Sequence, residues 1–156
     1  MRDIVPFGPI SARTSTDPER IFARVRREHG MIRALLDDVE RACAIGGVSP
    51  AGARATRLRQ AVWDLYLLFD EHLAMEEAHV APILRAFDAA GERRAVDLIL
   101  EHNEQRRVIL ELVENAERDE KALPQLVEEA TSLVGAFRAD MIIEESALAV
   151  VFAVPG

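Results

Sequence analysis

The chain has 156 residues, of which 49% are hydrophobic, and a formal net charge of −8 at pH 7. This length suits one domain with a single sizeable core. The acidic balance argues against a nucleic-acid partner, because phosphate binding requires a basic face. No apolar run reaches the roughly 18 residues that a membrane span requires, the N-terminal stretch lacks a secretory leader pattern, and the lone Cys43 cannot form an internal disulfide. We therefore expect a cytoplasmic protein without nucleic-acid or membrane partners.

Helical periodicity begins after about residue 16, and the first predicted helix covers about residues 17 to 44. Thr16 or Asp17 can cap its N-terminus, and Pro18 suits the first helical position. Gly46 and Gly47 then interrupt the pattern and end the helix.

The second predicted helix starts in the same way, with Ser49 as its cap and Pro50 at its first position. It runs to the neighbourhood of Pro82 or Phe87, where a break follows. The third helix is predicted over about residues 91 to 118.

The fourth predicted helix has Pro124 in its first turn and ends before Pro155. Short connections between long helices favour antiparallel neighbours, so the predicted fold is all-α, an up-down-up-down four-helix bundle. We expect residues 1–16 to form an irregular N-terminal arm and residues 17–156 to form the bundle. The apolar C-terminal residues LAVVFAVPG could cover the base of the bundle or pack against a second subunit, so a homodimer is possible.

The predicted inner face of each helix is found by stepping three and four residues alternately along it. In all four helices this face is apolar at both ends and polar only near the middle. Antiparallel helices of similar length bring their middles together, so we expect the polar side chains to converge on one level of the core. They are His29 in the first helix, His72 and Glu76 in the second, His102 and Arg106 in the third, and Asp140 and Glu144 in the fourth.

The negative charge of three carboxylates in a core must be balanced, because burying one ionised carboxylate costs roughly several kcal/mol unless it is paired or bound to a metal. Imidazole nitrogen and carboxylate oxygen together suit iron, manganese or zinc. His72 and Glu76 lie one turn apart and so present neighbouring donors on one helix face. The sequence therefore predicts a metal site in the middle of the bundle, without choosing among these three metals.

The polar positions resemble a known family in their order and spacing. The resemblance rests on His29, on HLAMEE at 72–77 followed by Pro82, on EHNEQR at 101–106, and on DMIIEE at 140–145. It spans all four helices, about residues 17 to 150, and the chain resembles hemerythrin-like, or HHE cation-binding, domains.

The resemblance implies an antiparallel four-helix bundle with a non-haem di-iron centre, used to bind oxygen, to sense oxygen or nitric oxide, or to handle iron. Under this resemblance His29 and His72 ligate one iron and His102 ligates the other. Glu76 and Glu144 bridge the two ions.

Two positions depart from the family pattern. Many members have a histidine where this chain has Arg106, which stays protonated and cannot ligate a metal. Asp140 stands in place of another histidine and can still ligate through oxygen. We hypothesise that Arg106 pairs with Asp140 and fills part of the space of the second ion, leaving a mononuclear or a weakened dinuclear site. A one-residue rotation of the third helix would instead turn Gln105 inward and Arg106 to the surface.

Several neighbouring residues are expected outside the ligand set. Glu77 and Glu145 directly follow predicted ligands and point about 100° away from them, which favours the surface, although Glu145 would ligate if the last helix were rotated. Glu71 and Glu101 are expected to be solvated or to orient a neighbouring imidazole. His79 is expected at the rim of the site or as a spare ligand.

Three classes of function remain open. The first is a metal-dependent protein that binds or senses oxygen, nitric oxide or iron, and it is the one that the sequence favours. The second is a di-iron enzyme of the peroxidase or oxidase type, for which no separate nucleophile or general acid is evident. The third is a metal-free helical interaction module in which Arg106 supplies the charge that a metal would supply.

Overall fold

The computed structural model describes residues 17–44, 51–118 and 123–152. Within these ranges the chain is helical throughout, apart from short turns, and forms no strand. This confirms the predicted all-α fold. The helices are α1 (Pro18–Ala44), α2 (Ala51–Phe87), α3 (Gly91–Glu117) and α4 (Leu123–Phe152).

The start of α1 agrees with the predicted cap. The backbone N–H of Glu19 donates a hydrogen bond to Oδ1 of Asp17 at 3.1 Å, which satisfies one of the free donors of the first turn. Pro18 and Pro124 lie in the first turns of α1 and α4, as predicted. The N-terminal arm, residues 1–16, and the following predicted boundary signals lie outside the described residues: Thr16, Gly46, Gly47, Ser49, Pro50 and Pro155.

Pro82 lies inside α2, which continues to Phe87. A proline in a helix removes the hydrogen bond to the carbonyl four residues earlier, here that of Ala78. Both Pro82 and Ala78 are exposed, so water can compensate for the lost hydrogen bond and the helix need not end there. Of the two predicted ends, the later one is observed.

The connection between α2 and α3 is short because Asp88 and Gly91 fit it closely. Oδ1 of Asp88 accepts a hydrogen bond from the N–H of Ala90 at 2.9 Å. At Gly91 an added Cβ would lie 1.9 Å from the carbonyl oxygen of Leu84, so the two helices can approach only with glycine there.

Cross-helix contacts show that sequential helices run antiparallel. Gly91 at the start of α3 lies against Leu84 near the end of α2. Arg106, farther along α3, contacts Asp70 and Glu77, which come earlier in α2. His29 of α1 contacts His72 of α2, and Gln105 of α3 contacts Asp140 of α4. α1 also packs along α4, which closes the ring, while α3 and α4 pack less closely than the other adjacent pairs.

The core has two apolar regions separated by a polar layer. One region lies toward the ends of α1 and α3 and the start of α4. The other lies around the start of α1 and the end of α4. Between them sit His29, His72, Glu76 and His102, each at most 2% exposed. This confirms the predicted pattern of apolar ends and a polar middle.

At several positions the buried side chain is the direct neighbour of the one predicted. A straight helix drifts by about 20° per seven residues from a strict 3.5-residue repeat, so a stepping rule loses register along a long helix. The stepping rule predicts as inward-facing Phe22, Cys43, Ile83, Ile99, Arg106 and Asp140. The buried residues are instead Ile21, Ala42, Leu84, Leu98, Gln105 and Met141.

No helix in the described ranges combines the length and the apolar character that a membrane span requires.

Candidate metal centre

Each helix of the bundle contributes to the buried polar layer. His29 comes from α1, His72 and Glu76 from α2, His102 from α3 and Glu144 from α4. Because His72 and Glu76 are four residues apart on one helix, both point to the same side of α2. Glu144 is the most accessible of the five, with 16% of its side chain exposed.

Four of the predicted ligands form one compact group of donor atoms. Nε2 of His29 lies 3.1 Å from Nε2 of His72 and 3.1 Å from Oε1 of Glu144. Oε1 of Glu76 lies 2.9 Å from Nε2 of His72 and 3.6 Å from Nε2 of His29. One donor atom from each residue falls within 4.8 Å of the others. Ligand atoms at about 2.1 Å from one ion are at most about 4.2 Å apart, so a cation fits after a small contraction.

Glu76 turns its two carboxylate oxygens toward different histidines. Oε1 faces His72 and His29, whereas Oε2 lies 3.0 Å from Nε2 of His102. A carboxylate placed in this way can bind one cation with each oxygen, as bridging glutamates do in bundle cores.

The buried donors are poorly satisfied by one another. Among the described residues, both carboxylate oxygens of Glu76, Nε2 of His102 and Oε1 of Glu144 are buried without a well-aligned hydrogen bond, although each has a neighbour about 3 Å away. Buried polar atoms are normally hydrogen-bonded, and each exception needs an explanation. Lone pairs that converge on a shared space instead of on a donor hydrogen fit a bound cation.

The pKa shifts of the buried side chains also indicate a concentration of negative charge that a cation could balance. Burial alone would lower the pKa of His29, but contacts with Glu144 and Glu76 outweigh burial and raise it to about 10. Burial alone would raise the pKa of Glu76, but contacts with His102, His29 and His72 hold it well below its usual range. Burial and the nearby charge of Glu76 raise the pKa of Glu144 well above its usual range, although His29 opposes this. Protons on His29 and Glu144 thus balance the buried charge that a cation could balance instead.

Asp140, the sixth predicted ligand, lies beside the buried polar layer. Its hydrogen-bond partner is Gln105 and not the hypothesised Arg106. Nε2 of Gln105 donates a hydrogen bond to Oδ2 of Asp140 at 3.2 Å. Gln105 is buried, with 8% exposure. Asp140 is half-buried and is not part of the four-donor group.

The hypothesised pair of Arg106 with Asp140 is wrong. Arg106 turns outward, donating to Oε1 of Glu77 at 2.6 Å and to Oδ1 of Asp70 at 3.2 Å, both on α2. Its guanidinium reaches the half-exposed margin of the bundle, where the charge stays partly hydrated. Arg106 therefore does not stand in the space of a second ion, and Gln105 faces inward in its place.

Two glutamates that were predicted at the surface instead contact the histidines from outside. Oε1 of Glu145 lies 2.9 Å from Nδ1 of His29, and Oε1 of Glu77 lies 3.1 Å from Nδ1 of His102. Each glutamate directly follows an inward-facing glutamate in the sequence. The offset of about 100° between successive residues places them at the flank that faces the next helix, which sequence reasoning took for a solvated face.

The other two candidate orienting groups, Glu71 and Glu101, form no hydrogen bond or ion pair with a histidine of the described residues. Glu71 and Glu101 are exposed and His79 is half-buried. Glu101 nevertheless lines an open groove of about 440 Å³ between the facing ends of α3 and α4. Leu98 and Leu148 form part of its apolar wall, and Glu144 also lies in its lining. The groove therefore reaches Glu144, one member of the four-donor group, from solvent.

The comparison with protein families agrees with this geometry. The hemerythrin HHE cation-binding domain matches residues 20–150, which include every residue of the donor cluster. No curated protein and no solved structure matches the chain significantly. The match covers most of the chain, so the protein belongs to the hemerythrin HHE cation-binding domain family.

Proposed function

We propose that this protein holds non-haem iron in the centre of its bundle and uses it to bind or sense oxygen or nitric oxide, or to handle iron itself. The observation that carries the proposal is the convergence of donor atoms from His29, His72, Glu76 and Glu144 on one buried space. Imidazole and carboxylate donors in this combination suit iron, and also manganese or zinc. Iron held there would supply redox chemistry and affinity for small diatomic molecules.

We further propose that the centre takes two ions. His29, His72, Glu76 and Glu144 would hold the first ion. His102 and the second oxygen of Glu76 would hold the other, with Asp140 as a further oxygen ligand from α4. The support for two ions is the placement of the Glu76 carboxylate between the imidazoles of His29 and His72 on one side and that of His102 on the other. Because Arg106 points away from the centre, its charge gives no reason for the loss of the second ion.

The groove between α3 and α4 supports a ligand-binding role. Its lining includes Glu144, the most accessible member of the cluster. A small molecule could approach the centre there without opening the bundle, and the apolar wall around Leu98 and Leu148 suits an uncharged diatomic molecule better than an ion.

A metal-free interaction module is the second candidate. Close contacts of His29 with Glu144 and of His102 with Glu76, at 3.1 and 3.0 Å, would also stabilise a buried network of protonated imidazoles and carboxylates. The two candidates differ in metal content and in colour, because iron centres absorb visible light and a charge network does not.

Metal analysis distinguishes these candidates. The protein is purified without a metal-binding tag, reconstituted anaerobically with ferrous iron and analysed for metal per chain. We expect two irons per chain and a fall in melting temperature on chelation, because a ligand bound to the native state stabilises it. Binding of only one iron per chain would contradict the dinuclear arrangement but not the metal-binding function. No bound metal, with an unchanged melting temperature after chelation, would contradict the whole proposal and favour the charge network.

The cytoplasmic location and the homodimer predicted from the sequence remain predictions. Residues 153–156, which complete the apolar C-terminus, lie outside the described part of the chain.

A further inference from the structure

The inner and outer nitrogens of the buried histidines face different surroundings. Nε2 of His29 and of His102 point toward the donor cluster. Nδ1 of each points the other way, to a glutamate on a neighbouring helix, Glu145 for His29 and Glu77 for His102. The same arrangement is thus built twice, from different helices.

An arginine completes each arrangement. Oε1 of Glu145 lies 3.1 Å from Nη2 of Arg33, with which it forms an ion pair, and 2.9 Å from Nδ1 of His29. In the second set, Oε1 of Glu77 accepts from Arg106 at 2.6 Å and lies 3.1 Å from Nδ1 of His102. One carboxylate oxygen in each set is therefore shared by the imidazole and the guanidinium.

We propose that Arg33–Glu145 and Arg106–Glu77 are positioning pairs, which hold His29 and His102 with Nδ1–H directed outward so that Nε2 is free to bind metal. This inference rests on the proposed metal-binding function. A carboxylate behind a ligating imidazole fixes its tautomer and ring orientation and increases its basicity as a ligand. Arg106 thus contributes to the centre through Glu77 and not through its own charge at the metal.

The two pairs act on different ions. Glu145 orients His29, whose Nε2 lies in the four-donor group. Glu77 orients His102, whose Nε2 faces the other oxygen of Glu76. Loss of either Glu77 or Glu145 should therefore lower the affinity for one ion and not for the other. A general loss of stability would not be selective in this way.

His72 supplies an internal comparison. Oε1 of Glu28 lies 3.9 Å from Nδ1 of His72, which is too long for a hydrogen bond, and this nitrogen is buried without a hydrogen-bond partner among the described residues. Glu28 is instead paired with Arg24 along α1. Replacement of Glu28 should therefore affect metal binding less than replacement of Glu77 or Glu145.

The test compares Glu77→Ala and Glu145→Ala with the surface variant Glu104→Ala. Glu104 forms a pair of the same 2.6 Å length with Arg107 on α3, but both residues are exposed and neither contacts a histidine. Zinc affinity for each of the two sites is measured by competition with a chelator. We expect Glu77→Ala to weaken one site about 10- to 100-fold and Glu145→Ala to weaken the other. Glu104→Ala should leave both unchanged.

Proton NMR of the zinc-loaded protein provides a second measurement. A ring Nδ1–H of a buried histidine that donates to a carboxylate, as proposed for His102 and Glu77, exchanges slowly with water and gives a resolved signal. One such signal should disappear in Glu77→Ala and return in Glu77→Gln, whose side-chain carbonyl can still accept. If Glu77→Ala does not fold, as judged by circular dichroism, Glu77→Gln carries the affinity test alone, with a smaller expected loss because its amide oxygen still accepts the ring N–H although the charge is gone.

Two outcomes would overturn the inference, and they are distinguishable. Equal zinc affinities in Glu77→Ala, Glu145→Ala and Glu104→Ala would refute the positioning pairs while the metal-binding function stands. If the unmodified protein binds no zinc or iron, the proposed function fails and the inference fails with it.

Discussion

At the scale of single residues, Glu76 has the most central position in the cluster. It is fully buried and contacts imidazoles from three helices, those of His29, His72 and His102. An ionised carboxylate in such a place persists only if positive charge surrounds it. Under the proposed function, this single side chain therefore connects the two ions.

Replacing Glu76 should accordingly affect both ions, whereas replacing His102 should affect one. We expect Glu76→Gln to bind less than one iron per chain, because the amide loses the charge and one of the two metal-binding oxygens. His102→Ala should retain about one. Metal analysis after anaerobic reconstitution checks both. A Glu76→Gln protein that still binds two irons would contradict the bridging role.

At the scale of helices, the position of the cluster depends on how the helices meet. The tight turn at Asp88–Gly91 sets how α3 lies against α2, and this fixes which α2 residues His102 can reach. Gly91 is buried, and an added Cβ would meet the backbone of Leu84, which cannot move aside as a flexible side chain could.

Gly91→Ala should therefore destabilise the protein by roughly 2 kcal/mol or more, in the range of overpacked core substitutions. Gly135→Ala is the matched control, because a Cβ there meets no atom within 4 Å. In the interior of α4 alanine should stabilise by about 0.5–1 kcal/mol. Urea unfolding monitored by circular dichroism measures both changes. Equal effects of the two substitutions would contradict the close approach at Gly91.

At the scale of the whole molecule, the buried charge links folding to pH. His29 has a pKa of about 10 in the folded protein against 6.5 in a model peptide, so between these values the folded state binds more protons than the unfolded state. The raised pKa of Glu144 acts in the same direction. Stability is then lost as pH rises through this interval. Glu76, whose pKa is lowered, contributes stability above its usual pKa that is lost only in acid.

We therefore expect the melting temperature of the metal-free protein to fall between pH 6.5 and pH 10. A loss of about 1 kcal/mol would lower it by roughly 2–4 °C in a chain of this size. Bound metal should make the melting temperature less dependent on pH, because the cation replaces the protons on the imidazoles. Differential scanning calorimetry with and without zinc measures this. A metal-free protein that becomes more stable over the same interval would contradict the protonated cluster.

The sequence by itself determined the fold class, the approximate ends of the helices and the level of the core where the polar side chains meet. These properties follow from local signals. Helical periodicity and turn residues are read from neighbouring positions, and an antiparallel bundle of similar helices leaves little choice about which segments face one another. His29, His72, Glu76 and Glu144 were identified in this way and lie together.

Only the tertiary structure decided the rotation of each helix about its own axis. Successive residues differ by about 100°, so an error of one position exchanges an inward side chain for one at the flank. That exchange separates Gln105 from Arg106, and it distinguishes a solvated Glu77 or Glu145 from one that orients a histidine. The packing of adjacent helices selects between such neighbours, because it decides which side chains can reach partners across the interface. The outer shell of the centre is therefore set by contacts that the sequence pattern of a single helix does not contain.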